Sequence, residues 1–539
     1  MNKANPAILF GFLATVLGLM GGLALMKGAL LVGKHEADTL HLLQIVFRMD
    51  AGQWPHLDFM TPIGALAFAP IAFFMGQGVG VGHAILYAQI GLGLVLLPAV
   101  WWVGIGRMRG WVPYLFGATV LVLATALVFG LGEPTISISM YYNRWAWAIS
   151  FVAIGLAILP ALGRQHPILD GGIIGVCMAA LVLLKMTYFV AFAPAIVIGM
   201  LLLKTYKALG VALFLGVAVL AVLTLFSGFE FWQAYLGDLL LVAGSELRAQ
   251  PGESLRTIIL APAYVTGTVV AVSAMVLLRQ TNDRAGGATL LFLIPSFIYV
   301  SFQNFGNDAQ WLVMLAVLVF SMLPDAAAFG RWNLNLRAGL TVVGVVALTL
   351  AAPSMINLAT SPYRHLGLNK DWYRPILPQH TVHHDIRFLT LRTHRIETRI
   401  PMDDPAVGHL VKDAVRDDLA MLMGVPLPAC ELEMGLAGWI NVIAQDLQQA
   451  GLSKGKRLFV ADVFSSHWLF NDLEPLPQGA PWYYGGLSGF DAADYLLVPL
   501  CPAVPGIRKQ VLEEIAARDD ISLTEIRRTG LYVLLEIAP

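Results

Sequence analysis

The stretch "HEADTLHLLQIVFRMDAGQWPHLDFMTP", residues 35 to 62, carries four carboxylates and three histidines directly after an apolar run from Ala7 to Val32. Ionisable groups at the edge of a bilayer are costly unless they have a task, and a carboxylate at the mouth of a membrane cavity is suited to general-base work. His41, Gln44 and Arg48 recur at helical spacing while Leu40, Leu42, Leu43, Ile45, Val46, Phe47 and Met49 fill the other face, which predicts an amphipathic helix lying in the interface plane. Asp38 stands just before that helix. Two roles fit it: an N-cap for a free backbone N–H, or a base.

Other chemistry-bearing groups are scattered along the chain. "LGEPTISISMYYNRWAW" (131–147) holds Glu133, followed by Tyr142, Asn143 and Arg144; an interfacial aromatic belt with a snorkelling arginine is the structural alternative. Lys185 interrupts the apolar run 171–203, where a charge needs an anionic partner such as a lipid headgroup. The segment 229–256 carries Trp232, Tyr235, Asp238 and Arg248, as a lid over a phosphate and an acceptor or as a surface helix. "SFQNFGNDAQW" (301–311) offers Asn304 and neighbouring amides to sugar hydroxyls. In 461–486, Ser465, Ser466, His467 and Asp472 crowd together without a G-x-S-x-G elbow, so a carbohydrate-facing or domain-packing loop is preferred to a hydrolase triad.

These groups must be positioned mainly by membrane segments. The chain of 539 residues has 57% hydrophobic residues, 13% charged and a mean hydropathy of +0.70, well away from a soluble globular domain. Residues 1–352 hold 17 Lys/Arg and 13 Asp/Glu, whereas the remaining 187 hold 17 and 22, so the last third reads as soluble. A net charge of −1 with no basic block argues against nucleic acid as a partner. The apolar runs predict about 10–12 membrane segments in 1–355, with an outer loop at 34–60. For the basic loops to lie on one side, 61–76, broken by Pro62 and Pro70, must be a half-span, and 171–203 must be two short crossings. Residues 356–539 then form an extracytoplasmic α/β domain, with strands at 457–462 and 494–500, a helix at 506–520, and a final strand pair joined through Thr529-Gly530. Cys430 and Cys501, both in that part, are free to form a disulfide; nothing in their spacing requires it.

An acidic residue after the first membrane helix, an interfacial helix, then Gly52-Gln53-Trp54-Pro55-His56-Leu57-Asp58-Phe59 and Thr61-Pro62 opening the next apolar run resembles the first outer loop of GT-C superfamily glycosyltransferases, near the protein mannosyltransferase and aminoarabinose transferase group. The resemblance implies a GT-C-like polytopic fold and transfer of a sugar from a polyprenyl-phosphate carrier to a glycan, lipid or protein acceptor, with inversion, at the outer face of the membrane. It places Asp38 as the catalytic carboxylate, with Glu36 as a second candidate because this chain has Glu36-Ala37-Asp38 where relatives often show an adjacent Asp-Glu pair. Glu133 takes the second acidic position. Lys185 takes the lipid-phosphate contact, with Tyr142, Asn143, Arg144, His56, Asp58, Arg248 and Asn304 as substrate-binding residues. A divalent cation (Mg or Mn) and a bacterial inner-membrane location with a periplasmic C-terminal domain are expectations of the same kind. The competing readings are a transporter or flippase of lipid-linked sugars and a non-catalytic assembly protein on the same fold.

Overall fold

A computed structural model describes residues 2–130, 132–245, 254–281, 284–303, 309–401, 405–406 and 419–538. The membrane part begins with α1 (Pro6–Leu25), the short strand β1 (Leu30–Val32), α2 (Glu36–Asp50) and α3 (Ala69–Met75). It continues through α4 (Val81–Arg107), α5 (Val112–Thr125), α6 (Tyr141–Ile158), α7 (Pro167–Leu184), α8 (Met186–Leu202) and α9 (Tyr206–Ser227). It closes with α10 (Glu230–Ala243), α11 (Leu255–Leu260), α12 (Pro262–Leu278), α13 (Arg284–Gln303), α14 (Trp311–Ser321) and α15 (Leu336–Gly367). Among the described residues six helices, α1, α4, α7, α9, α13 and α15, are long and apolar enough to cross a membrane, while α5, α8, α12 and α14 are shorter apolar helices. The protein is thus a helical polytopic membrane protein.

Two irregularities expected from the charge pattern are present. The segment after Pro62 is a half-span, because α3 has only 7 residues, about 10 Å of helix against a hydrocarbon core of about 30 Å. The long apolar run after Pro167 breaks at Lys185, which is extended (φ −157°, ψ 98°) between α7 and α8. The ends of the bundle sort accordingly. At one end the Gly110 N–H donates to Asn2 O (2.9 Å) and the Leu162 N–H to Gly106 O (2.9 Å), and Arg109 faces Asp325 at 3.6 Å, which gathers the basic loops. At the other end the loops bearing Lys34, His56 and Glu133 meet the C-terminal domain.

That domain has strands β2 (Tyr373–Pro375) and β3 (Ile386–Leu389), the turn α16 (Thr390–Thr393), and small strands β4 (Glu397–Arg399), β5 (Met421–Leu422), β6 (Val425–Pro426) and β7 (Glu431–Met434). Helix α17 (Leu436–Gln449), β8 (Leu458–Val460), β9 (Tyr495–Pro499), α18 (Pro505–Ala516), β10 (Ser522–Arg528) and β11 (Tyr532–Ala538) complete it. Its main sheet runs β10-β11-β9-β8, with β8 and β9 parallel and the β10–β11 hairpin where the sequence places it. Cys430 and Cys501 are bridged, with Cα atoms 4.9 Å apart.

Three expectations are corrected. The boundary at 355/356 falls inside α15, which runs unbroken through Pro353 and Pro362 to Gly367. The two parts also share a sheet: β1, between α1 and α2, pairs in parallel with β3, Leu30 opposite Ile386 and Val32 opposite Phe388. Finally, the polar face of α2 is turned to protein and not to water. The helix is buried between bundle and C-terminal domain, and its polar stripe is answered by the loop 465–482. Gln44 Nε2 donates to Ser466 Oγ (2.8 Å) and Pro481 O (3.0 Å), while Gln44 Oε1 accepts from Trp468 Nε1 (3.0 Å) and Ser465 Oγ (3.3 Å). All donor and acceptor positions of the amide are used, as burial demands. Arg48 adds a bond to Leu476 O at 3.0 Å. The loop rich in Ser, His and aromatics is therefore a packing surface, with Ser466 accepting from Gln44 and the Ser465 hydroxyl shared between Gln44 Oε1 and Ala480 O (3.0 Å).

Candidate functional site

Helix α2 begins at Glu36 behind an N-cap His35 held in the left-handed region (φ 61°). Asp38 therefore sits in the first turn and is not the cap. Its carboxylate Oδ2 accepts from Ser139 Oγ at 2.6 Å and is half-buried. Glu36, two residues earlier, points about 200° away around the helix. It is buried in the C-terminal domain, where its Oε1 accepts from the Ala437 N–H at 2.8 Å, at the N-terminus of α17. Burial pushes the Glu36 carboxyl up to about 7, against the opposing pull of Ala437 N–H and Arg392. Of the two candidate bases, only Asp38 faces the helical bundle's own loop.

That loop, 132–140, lies against the first one. Lys34 Nζ meets Glu133 Oε2 at 2.7 Å, and the Thr135 hydroxyl donates to Glu133 Oε1 at 2.6 Å. The Lys34 bond, then the Thr135 bond, draws the Glu133 carboxyl down to about 2. His35 Nδ1 and Ser137 Oγ share a hydrogen bond of 2.8 Å, and the Gly33 N–H donates to Ile136 O at 2.9 Å. Thr135, Ser137 and Ser139 were not among the predicted site residues. The signal was the alternation Thr-Ile-Ser-Ile-Ser, which sends three hydroxyls to one face and buries Ile136 and Ile138 on the other.

Two residues after Ser139, α6 begins, and the Tyr142 ring lies 5.1 Å from Lys185 Nζ at the α7–α8 break. The half-span packs into the same layer. Tyr141 Oη donates to Ala67 O at 2.5 Å, and the Gly64 N–H reaches Leu184 O at 3.3 Å. A Cβ on Gly64 would stand 2.1 Å from the Leu183 carbonyl oxygen, so glycine is required for the approach. Asp38 and Lys34 thus contact the 132–140 loop at Ser139 and Glu133, and Tyr142, three residues past Ser139, contacts Lys185.

The remaining predicted ligands separate. Arg144 turns inward, almost fully buried, and donates to Val128 O (2.6 Å) and Ala126 O (2.8 Å), closing the carbonyl end of α5. That corrects its reading as a substrate-binding residue. Asn143 is buried beside it on α6. Asp58 is exposed and its carboxylate accepts the Trp54 N–H (2.6 Å) of its own turn, so it shapes the loop. His56 is buried: Nδ1 pairs with Asp238 Oδ2 at 2.8 Å, the ring stacks on Tyr235 at 4.2 Å, and the Thr61 N–H joins the same carboxylate at 3.1 Å. It anchors α10 to the first loop. Arg248 and Asn304 lie outside the described residues. As for a divalent cation, Asp38 is bonded to Ser139, both Glu133 oxygens are taken by Lys34 and Thr135, and no group of three metal-ligating side chains is gathered among the described residues. Mg and Mn sites gather several free oxygens. No step below uses a metal.

The chain matches no protein-family model and no curated protein.

Proposed function

We propose that this protein is an integral-membrane glycosyltransferase that moves a sugar from a polyprenyl-phosphate carrier to an acceptor hydroxyl at the extracytoplasmic face. The observation that carries the reading is the placement of Asp38. It is a half-buried carboxylate with one oxygen fixed by Ser139, three residues before Tyr142, whose ring meets the cation Lys185. A base and a cation near one membrane surface are what attack on a lipid-borne phosphosugar needs.

Asp38 takes the proton of the acceptor hydroxyl as that oxygen bonds to the anomeric carbon. The bond from the anomeric carbon to the phosphate oxygen breaks, its electron pair leaves with the polyprenyl phosphate, and the sugar inverts. Lys185, steadied over Tyr142, balances the charge of the departing phosphate. Glu133 holds the second loop against Lys34 and thereby places Ser139 against Asp38. The basic loops at the opposite end support a C-terminal domain outside the cytoplasm, by the positive-inside rule. A bacterial inner membrane is the setting we assign.

The test is native mass spectrometry of the detergent-purified chain, followed by a transfer assay with whatever polyprenyl-phosphate sugar co-purifies. A bound lipid of that class, consumed in the presence of an acceptor by wild type and not by Asp38→Asn, is the expected result. Equal consumption by the Asp38→Asn variant would remove Asp38 from the reaction. A lipid carried but never transferred would favour a flippase.

A further inference from the structure

At the basic end of the bundle, α4, α7 and α9 enclose an open cavity of about 900 Å³. That is large enough for a ligand of lipid size. Its floor is apolar, formed by Val95, Pro98, Trp102, Ile173, Val176 and Leu215. From Pro167 to Val176 the floor runs about 14 Å at 1.5 Å per residue, close to the depth of one leaflet of a hydrocarbon core about 30 Å thick.

The rim differs in kind. Arg164 and His166 line it, and Lys3 Nζ lies next to the adjoining Gly163, 3.3 Å from where a Cβ there would stand. The nearby carboxylate, Asp170, is spent inside the protein: Oδ2 on Arg107 Nη2 at 2.7 Å and Oδ1 on Trp102 Nε1 at 2.8 Å. Asp325 is turned to Arg109. Among the described residues no carboxylate pairs with Arg164 or Lys3, so the rim carries uncompensated positive charge above an acyl-sized floor.

We infer that this groove binds an anionic phospholipid from the leaflet at the basic end, with its phosphate at Arg164 and Lys3 and an acyl chain along α7. The inference stands independently of the transfer reading, since it uses none of that site's residues. Basic pockets between membrane helices select anionic headgroups, and each cation near the surface contributes about 1 kcal/mol, about fivefold in affinity.

The experiment is native mass spectrometry of the purified full-length chain titrated with phosphatidylglycerol or phosphatidylcholine of identical acyl chains. Wild type is expected to retain phosphatidylglycerol in preference to phosphatidylcholine. Arg164→Glu should weaken phosphatidylglycerol about 30-fold, with Arg164→Gln about fivefold as the milder variant if the reversal fails to fold. Gly172→Phe, which fills the floor, should weaken both lipids. Equal retention of the two lipids by wild type, or a preference that survives both Arg164 variants, would mean annular lipid only and overturn the assignment.

Discussion

The two sides of α2 are built differently, although the same few residues supply both. On the side turned to the C-terminal domain, Glu36, Gln44 and Arg48 are buried and committed to Ala437, Ser466, Pro481 and Leu476. On the side turned to the second loop, Asp38 is half-buried and held through one oxygen by a neutral hydroxyl. Two carboxylates two residues apart thus meet opposite fates because a helix turns about 200° between them. A carboxylate fully engaged by a neighbouring domain is a structural device, whereas one oriented but left with an oxygen to spare is available to chemistry.

The largest effect should come from testing that division at its centre. Asp38→Asn is expected to lower transfer about 10²- to 10⁴-fold, the range for loss of a general base, with the thermal midpoint little changed. Glu36→Gln should leave transfer within a factor of about three. If the two variants lost activity equally, the division between the two sides would fail.

Next comes pH. The Glu36 carboxyl is held up at about 7 in the folded chain, above the ordinary value of about 4.3, so the folded state binds its proton more tightly than the unfolded state. The stability from this site is fully present below about pH 4 and is lost as pH rises through about 7, with a total of order 3 kcal/mol. Thermal midpoints, or protease release of the C-terminal domain, followed from pH 4 to 8 should show that fall. Glu36→Gln should flatten it. A slope that persists in the variant would assign the titration elsewhere.

Lys185→Ala tests the other side of the layer. It should raise the donor KM about 10-fold or more, as expected for one charge-assisted contact, and affect the acceptor KM little. An unchanged donor dependence would leave Lys185 as the residue that breaks the helix between α7 and α8.

How far the chain could be read follows the range of the interactions involved. The half-span is visible locally in Pro62 and Pro70, and the break at Lys185 in one charge within an apolar run. The β10–β11 hairpin is visible in Thr529-Gly530. The burial of α2 is not. Its pattern of His41, Gln44 and Arg48 says that one face is polar, and only the partner, about 420 residues on at Ser466 and Pro481, decides that this face meets protein in place of water. The pairing of Leu30 with Ile386 is equally remote. Arg144 was misread for a related reason: an arginine at a helix start near a membrane edge has the same sequence signature whether it reaches outward to a phosphate or inward to the open carbonyls of Ala126 and Val128.

The smallest effect is expected at Glu133, and it sharpens the comparison most finely. Its carboxyl is drawn down to about 2 by Lys34 first and Thr135 second, so its contribution to stability is present above the ordinary carboxylate range and lost as pH falls through about 2. The pair is partly exposed, about a third of each side chain, which limits its worth to about 1 kcal/mol or less. Glu133→Gln should therefore lower the thermal midpoint only slightly, and Lys34→Met should reproduce that change. Because Glu133 acts on Asp38 only through the loop that carries Ser139, Glu133→Gln should reduce kcat modestly, while Ser139→Ala, which frees the Asp38 carboxylate from its orienting bond, should reduce it more. A loss at Glu133 as deep as that at Asp38 would make it a second participating acid and place both loops, not one side of α2, in the reaction.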